Sequence, residues 1–255
     1  MKISVVTVCR NAQATIADTI RSFLAQEYPH KELLIIDGAS QDRTLEIARK
    51  FVRPDVRIIS ERDGGLYDAM NKGLRLYTGD AIGFLNADDT FHDPSALRRV
   101  ADGLRNAEAV HGGLVFVESH KTKRIVRTWK GEPFRRGQFR AGWLPPHPTF
   151  YIRRSLAEKT GAFDLSYGSA ADYDYMLRAL ELYADSAAYV SGPLVDFLVG
   201  GTSSGLKRVF LANLGCLRSR RKHLGAPLID LAFFLKPGVK MLTQWNISAA
   251  SKMDQ

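Results

Sequence analysis

From Lys2 to Cys9 the apolar positions Ile3, Val5, Val6 and Val8 run almost unbroken, as in a strand buried on both faces. From Ala14 to Glu27 the spacing becomes helical, with Ile16, Ile20, Phe23 and Leu24 on one face, and Pro29 stops the helix. Glu32 to Ile36 predicts a second strand, Leu45 to Phe51 a helix capped near Asp42, and Val56 to Ile59 a third strand. After the flexible Gly64-Gly65 turn, Tyr67 to Leu76 predicts a helix, and Asp80 to Leu85 a buried fourth strand. Strands alternating with helices imply βαβ units and a parallel sheet. Right-handed crossovers then bring the ends of the first, second and fourth strands to one edge.

Beyond residue 90 the pattern changes. Ser95 to Asn106 predicts a helix, and Ala109 to Glu118 and Arg124 to Trp129 alternate like antiparallel strands. Residues 131–146 are rich in Arg, Gly, Pro and aromatics and show no period. His147 to Ile152 predicts a strand, a short helix precedes Gly161, and a helix begins at Asp172. Ala187 to Val199 holds another strand, followed by a Gly- and Ser-rich stretch to Gly205. The tail carries the basic run Leu217 to His223 and then the apolar stretch Leu228 to Leu235. Two readings of it stay open: a helix in the interface of an anionic membrane, or a helix packed on the domain with a solvated basic face.

Composition narrows the classes. With 255 residues, 45% hydrophobic and 25% charged, the chain is an ordinary globular protein with a sizeable core. Its net charge of +9 points to an anionic partner. Cys9 and Cys216 lie far apart and make no disulfide or zinc framework, and Cys9 is expected as a buried thiol. No stretch reaches the roughly 18 uninterrupted apolar residues of a membrane span. Met1-Lys2 leads straight into a strand, unlike a signal peptide, so a cytoplasmic protein is expected. Neither G-x-G-x-x-G nor a P-loop occurs, so the NAD and ATP readings lack their motif.

The chemistry gathers at the aligned strand ends. They carry Asn11, Asp37 and the pair Asp88-Asp89. Neighbouring carboxylates repel unless a cation or proton intervenes, and hard oxygen ligands suit Mg²⁺ or Mn²⁺ shared with a substrate diphosphate. The other reading of Asp88-Asp89 is a solvated turn capping the next helix. Three polar clusters at three strand ends favour the site. Asp68, Asn71 and Lys72 fall on neighbouring helix positions whose N-terminus can face an anion.

Taken in order, these segments resemble the family 2 glycosyltransferases with the GT-A fold. The resemblance covers roughly residues 1 to 205. It rests on Asn11, Asp37 to Thr44, Glu61 to Gly73, Thr78-Gly79-Asp80, Asn86-Ala87-Asp88-Asp89 and Ala171-Asp172-Tyr173-Asp174. Tyr67 to Gly73 is most similar to the branch that builds bacterial surface polysaccharides such as colanic acid.

The resemblance implies an α/β fold with a Rossmann-like, mostly parallel central sheet flanked by helices and a smaller antiparallel acceptor-side portion. Residues 1–90 would bind the nucleotide sugar, 91–205 the acceptor, and 206–255 would form a basic, amphipathic helical extension. It implies a nucleotide-sugar site at Asn11, Asp37, Gly38, Ser40, Glu61, Gly65, Tyr67, Asp68, Asn71, Lys72, Asn86 and Asp88. A divalent cation, Mn²⁺ or Mg²⁺, would sit on Asp88 and Asp89, since Asn86 replaces the acid that often begins the family's metal motif.

Asp172 matches the family's catalytic base. Asp174 is its rival, and on a helix the two side chains diverge by about 200°. Trp143, His147 and Asp174 are the acceptor-side candidates, with packing the other reading for Trp143 and a structural role the other for His147.

The implied reaction is inverting transfer of one sugar from a UDP- or GDP-sugar to a saccharide or polyprenyl-linked saccharide. The Gln-x-x-Arg-Trp motif of processive synthases is absent. A nucleotidyltransferase would carry a Gly-rich basic loop where this chain has Arg10-Asn11-Ala12-Gln13. A nucleic-acid partner is disfavoured because acidic strand ends repel phosphate backbones.

Overall fold

The strands form where the apolar runs lie, and they join into one sheet. The computed structural model describes residues 1–200 and 206–227. Four strands, β1 (Ile3–Cys9), β2 (Lys31–Asp37), β3 (Val56–Ser60) and β4 (Ala81–Phe84), pair in parallel in the order β3-β2-β1-β4. The register sets Cys9 opposite Asp37, and Asp37 opposite Ser60, so the polar strand ends share one edge as expected.

Beyond β4 the sheet continues through β8 (Tyr151–Arg153), β6 (Ala109–Val117), β9 (Ala187–Leu198) and β5 (Thr90–Phe91). β7 (Ile125–Trp129) forms an antiparallel hairpin on β6. The β6–β9 pair is parallel, whereas β4–β8, β6–β8 and β5–β9 are antiparallel.

Both sheet faces are covered. Val6, Val8, Leu34 and Ile36 face one core, which α3 (Leu66–Leu76), α5 (Arg154–Thr160) and α6 (Ala171–Leu177) complete. Ile3, Val5, Leu33 and Ile35 alternate to the other face. That face receives α1 (Ile16–Leu24), α2 (Thr44–Arg49) and α4 (Ala96–Gly103). Two glycines permit close packing. A Cβ on Gly73 of α3 would lie 2.5 Å from the Val6 side chain, and one on Gly83 of β4 would overlap the Tyr151 ring.

One expectation changes: His147–Thr149 is a 3₁₀ turn rather than the start of a strand, because Pro146 and Pro148 bring no N–H to a ladder. α6 continues into a π-helical turn, Arg178–Tyr183. Beyond the expected boundary at residue 205, α7 (Leu206–Leu224) packs on α6 and on the 3₁₀ segment Leu165–Ala170. The apolar stretch Leu228 to Leu235 lies outside the described residues. Among the described residues no helix is long and apolar enough to cross a membrane.

Candidate functional site

The loops after β1 and β2 are stitched together by side chains. Asn11 takes a left-handed backbone (φ 54°), its N–H donates to Ser40 Oγ at 2.8 Å, and its Oδ1 accepts from Gln41 N–H at 2.9 Å. Ala12 N–H donates to Thr44 Oγ1 at 2.7 Å.

Asp37 lies at the centre of this network. It accepts from Ser40 Oγ, from Ser40 N–H at 3.1 Å and from Ser60 Oγ at 2.6 Å, and Cys9 Sγ stands 3.7 Å away. Burial, with the Asp37 charge beside it, pushes the Cys9 thiol well up, so it stays protonated and inert. Only 1% of Asp37 is exposed. The Asp37 carboxylate, expected at the base or ribose, is bonded here to the loop that it shapes. A Cβ at Gly38 would lie 2.4 Å from the Asp63 carboxylate, which would have to shift. Asp63 borders the same loop and accepts from Gly65 N–H at 2.9 Å. Asp63 is not among the site residues that the resemblance implies, although Glu61 and Gly65 on either side of it are.

The start of α3 is likewise occupied. Gly65 has φ 118°, open only to glycine, and Gly64 N–H donates to Asp68 Oδ2 at 2.8 Å. The two glycine amides before the helix thus bond acids of the chain itself. Lys72 is buried, donating to the Arg62 carbonyl at 2.6 Å and pairing with the exposed Glu61 at 3.0 Å. Asn71 is turned away from the strand ends, toward the backbone of Phe163.

At the end of β4 the two adjacent acids point different ways. Asp89 is fully buried, with Oδ2 accepting from Asn86 Nδ2 at 3.0 Å and Oδ1 from Leu198 N–H at 3.2 Å. Burial and the neighbouring Asp88 charge push its carboxyl well above the usual range. Asp89, expected on the cation, is bonded here by the Asn86 amide and the Leu198 N–H. Asp88 is partly exposed. Burial raises its carboxyl, against its own backbone N–H and His120, which lower it. His120, at the tip of the β6–β7 hairpin, donates from Nε2 to the Asp88 carbonyl at 2.8 Å. No sequence period signals this contact between residues 32 apart.

On the acceptor side Asp172 opens α6, partly exposed, and makes no ion pair among the described residues. Its Oδ1 accepts from Tyr173 N–H at 2.8 Å. Tyr67 crosses from α3 to this point: burial and the Asp172 charge push its phenol well up, and its hydroxyl lies 3.5 Å from the Ser169 carbonyl. Burial lowers the pKa of the His147 ring against the pull of Asp172, and the ring stacks on Phe84 at 5.7 Å. Trp143 packs among His111, Phe134 and Phe139.

Asp174, the rival acid, is turned into the interior. It is 1% exposed and is held by Arg178 at 2.8 Å, Ser219 Oγ at 2.8 Å and His223 Nε2 at 3.1 Å. The two acids face opposite ways, as their spacing on the helix demands.

Among the described residues no three His, Cys, Asp or Glu side chains gather around one point. The donor set fits a cation bound through one carboxylate, Asp88, with phosphate oxygens and water completing the shell, a common arrangement for Mg²⁺. The raised Asp88 carboxyl would be relieved by such a charge.

Comparison with known proteins gives the family and the fold. The profile of glycosyl transferase family 2 matches residues 4–163. The chain is 32% identical over 183 residues to a PGL/p-HBAD biosynthesis glycosyltransferase of Mycobacterium bovis, covering 69% of this chain and 68% of that one. Among solved structures, S. aureus TarS 1-349 in complex with UDP superposes with a TM-score of 0.66 at 18% identity, over 91% of this chain and 68% of that one. The mannosyltransferase PcManGT from Pyrobaculum calidifontis, in complex with GDP-Man and Mn²⁺, gives 0.62 at 17% identity, over 98% and 73%. The mixed α/β sheet is thus the fold of these glycosyltransferases, and the colanic-acid branch is not singled out.

Proposed function

The chain belongs to glycosyl transferase family 2, and we propose that it moves a single sugar, with inversion, from a nucleotide sugar to a saccharide or lipid-linked saccharide in surface-polysaccharide assembly. The observation that carries the reading is that Asp88, after β4, and Asp172, at the start of α6, stay partly exposed, while Asp89 and Asp174 beside them are buried and bonded. Each neighbouring pair thus leaves one acid for chemistry.

In the proposed step the acceptor oxygen bonds to the anomeric carbon as the bond to the diphosphate breaks. The Asp172 carboxylate takes the acceptor's proton, the role of a positioned general base. Asp88 would hold a divalent cation, which supplies neutralising charge to the departing diphosphate. Asn11, Ser40 and Asp63 border the donor loops. A UDP-sugar is favoured, with a GDP-sugar the alternative; neighbours of the same fold are solved with each nucleotide class.

The test is a screen of UDP- and GDP-sugars by thermal shift, with and without Mn²⁺, because a ligand that binds only the folded state raises its stability. A cation-dependent shift followed by release of nucleoside diphosphate is expected. Release of inorganic pyrophosphate would instead favour nucleotidyl transfer, and no shift with any donor would remove the reading.

A further inference from the structure

Helix α7 buries polar groups beside Leu217, Cys216 and Leu224: Ser219 is fully buried and bonds Asp174 at 2.8 Å, His223 reaches the same carboxylate at 3.1 Å, and Arg220, 1% exposed, lies 3.3 Å from the Tyr173 hydroxyl. Its outer side is apolar and then basic. At about 100° per residue, Leu211, Leu214, Arg218 and Arg221 fall within an arc of about 80° on the side away from Ser219 and His223. Leu211 is 50% and Leu214 46% exposed, and Arg218 and Arg221 are exposed. Leu165, 51% exposed, extends the patch, since the neighbouring Ser166 carbonyl accepts from Arg218 at 3.3 Å. A groove lined by Leu214, Leu217, Arg218, Arg221 and Lys222 runs along it. A helix lying on its domain in water ordinarily presents the reverse pattern.

We infer that this outer face of α7 docks on an anionic lipid bilayer, with Leu165, Leu211 and Leu214 in the acyl boundary and Arg218, Arg221 and Lys222 at the headgroups. Apolar side chains flanked by cations on one helix face complement such a surface in both polarity and charge. A two-fold pairing of this face with a second copy would set the arginines against their own kind. The inner side of α7 grips α6, which carries Asp172, so docking would turn the acceptor half toward the lipid. That last consequence rests on the proposed transfer reaction, whereas the surface itself does not.

The test uses the full chain and co-sedimentation with phosphatidylcholine vesicles, with and without phosphatidylglycerol. Binding is expected only with phosphatidylglycerol and should weaken with salt. Leu211→Ser with Leu214→Ser should weaken it by about tenfold or more, from the apolar area withdrawn, and leave the melting temperature unchanged. Arg221→Glu should weaken it at low salt. Equal binding by wild type and the double variant would overturn the inference, as would equal binding to neutral vesicles. So would a wild-type dimer that the leucine substitutions dissociate. A donor-dependent thermal shift on the same samples reports on the transfer reaction separately.

Discussion

Asn71 and Phe163 hold each other twice: Asn71 Nδ2 donates to the Phe163 carbonyl at 3.0 Å, and Phe163 N–H donates to Asn71 Oδ1 at 2.8 Å. This clasp spans 92 residues and ties α3 to the chain after α5, across the proposed donor and acceptor halves. All four atoms are in a buried setting. Asn71→Ala leaves a buried N–H and C=O without partners, at a cost of about 2–4 kcal/mol. Urea unfolding should show that loss as a lower midpoint with an unchanged slope. An unchanged midpoint would mean that the halves are held elsewhere.

The two acids of α6 should separate cleanly in kinetics and stability. Asp172→Asn is expected to lower turnover by about 10²–10⁴-fold, the range of a positioned general base, with donor affinity and melting temperature retained. Asp174→Asn should do the opposite. It strands Arg178 and His223 and should cost about 3 kcal/mol of stability. If Asp172→Asn turns over normally, the base lies elsewhere.

At the end of β4, Asp88→Ala should abolish the Mn²⁺-dependent part of the donor thermal shift without lowering the melting temperature of the free protein. Asp89→Ala should lower that melting temperature, because the Leu198 N–H and the Asn86 amide lose their acceptor. A metal-dependent shift that survives Asp88→Ala would reassign the cation.

Acid should weaken the fold in two stages. His111 is fully buried, neither ring nitrogen has a hydrogen-bond partner, and burial lowers it to about 4. The unfolded chain takes up this proton near pH 6.5 while the folded one does not, so stability falls as pH drops from about 6.5 to about 4, by about 3 kcal/mol in all. Burial raises the Glu32 carboxyl, but hydrogen bonds from Lys2, Ser4 and Thr78 outweigh it and hold it at about 2. Its contribution is therefore present above about pH 4.5 and is lost between there and about pH 2. Denaturant midpoints across pH should show a smaller upper stage in His111→Phe and a smaller lower stage in Glu32→Gln. A pH profile identical to wild type in both variants would contradict these assignments.

The apolar runs made β1 to β4 legible, because strands buried on both faces leave little freedom in sequence. The helix at Asp172 and the opposed directions of Asp172 and Asp174 also followed from period alone. What could not be read depends on distant partners. Asp88 and Asp89 look equivalent in sequence, yet a backbone N–H 109 residues away, on Leu198, decides which one is buried. Asp174 is removed from the site by Ser219 and His223, 45 and 49 residues on. The strand β5 is only Thr90–Phe91, too short to show a period. The basic run of the tail read as a solvated or membrane face, but Ser219 and Arg220 within it point inward.

The grip of α7 on Asp174 means that kinship and competence reside in different stretches of this polypeptide. The family profile stops at residue 163, short of the proposed base and of the helix that steadies it. A chain cut at 205 would keep every hallmark by which its ancestry is recognised, yet Asp174 would be left to Arg178 alone. Transplanting this catalytic unit into another protein therefore calls for the piece through His223, and shorter grafts should express as members of the family that do not work.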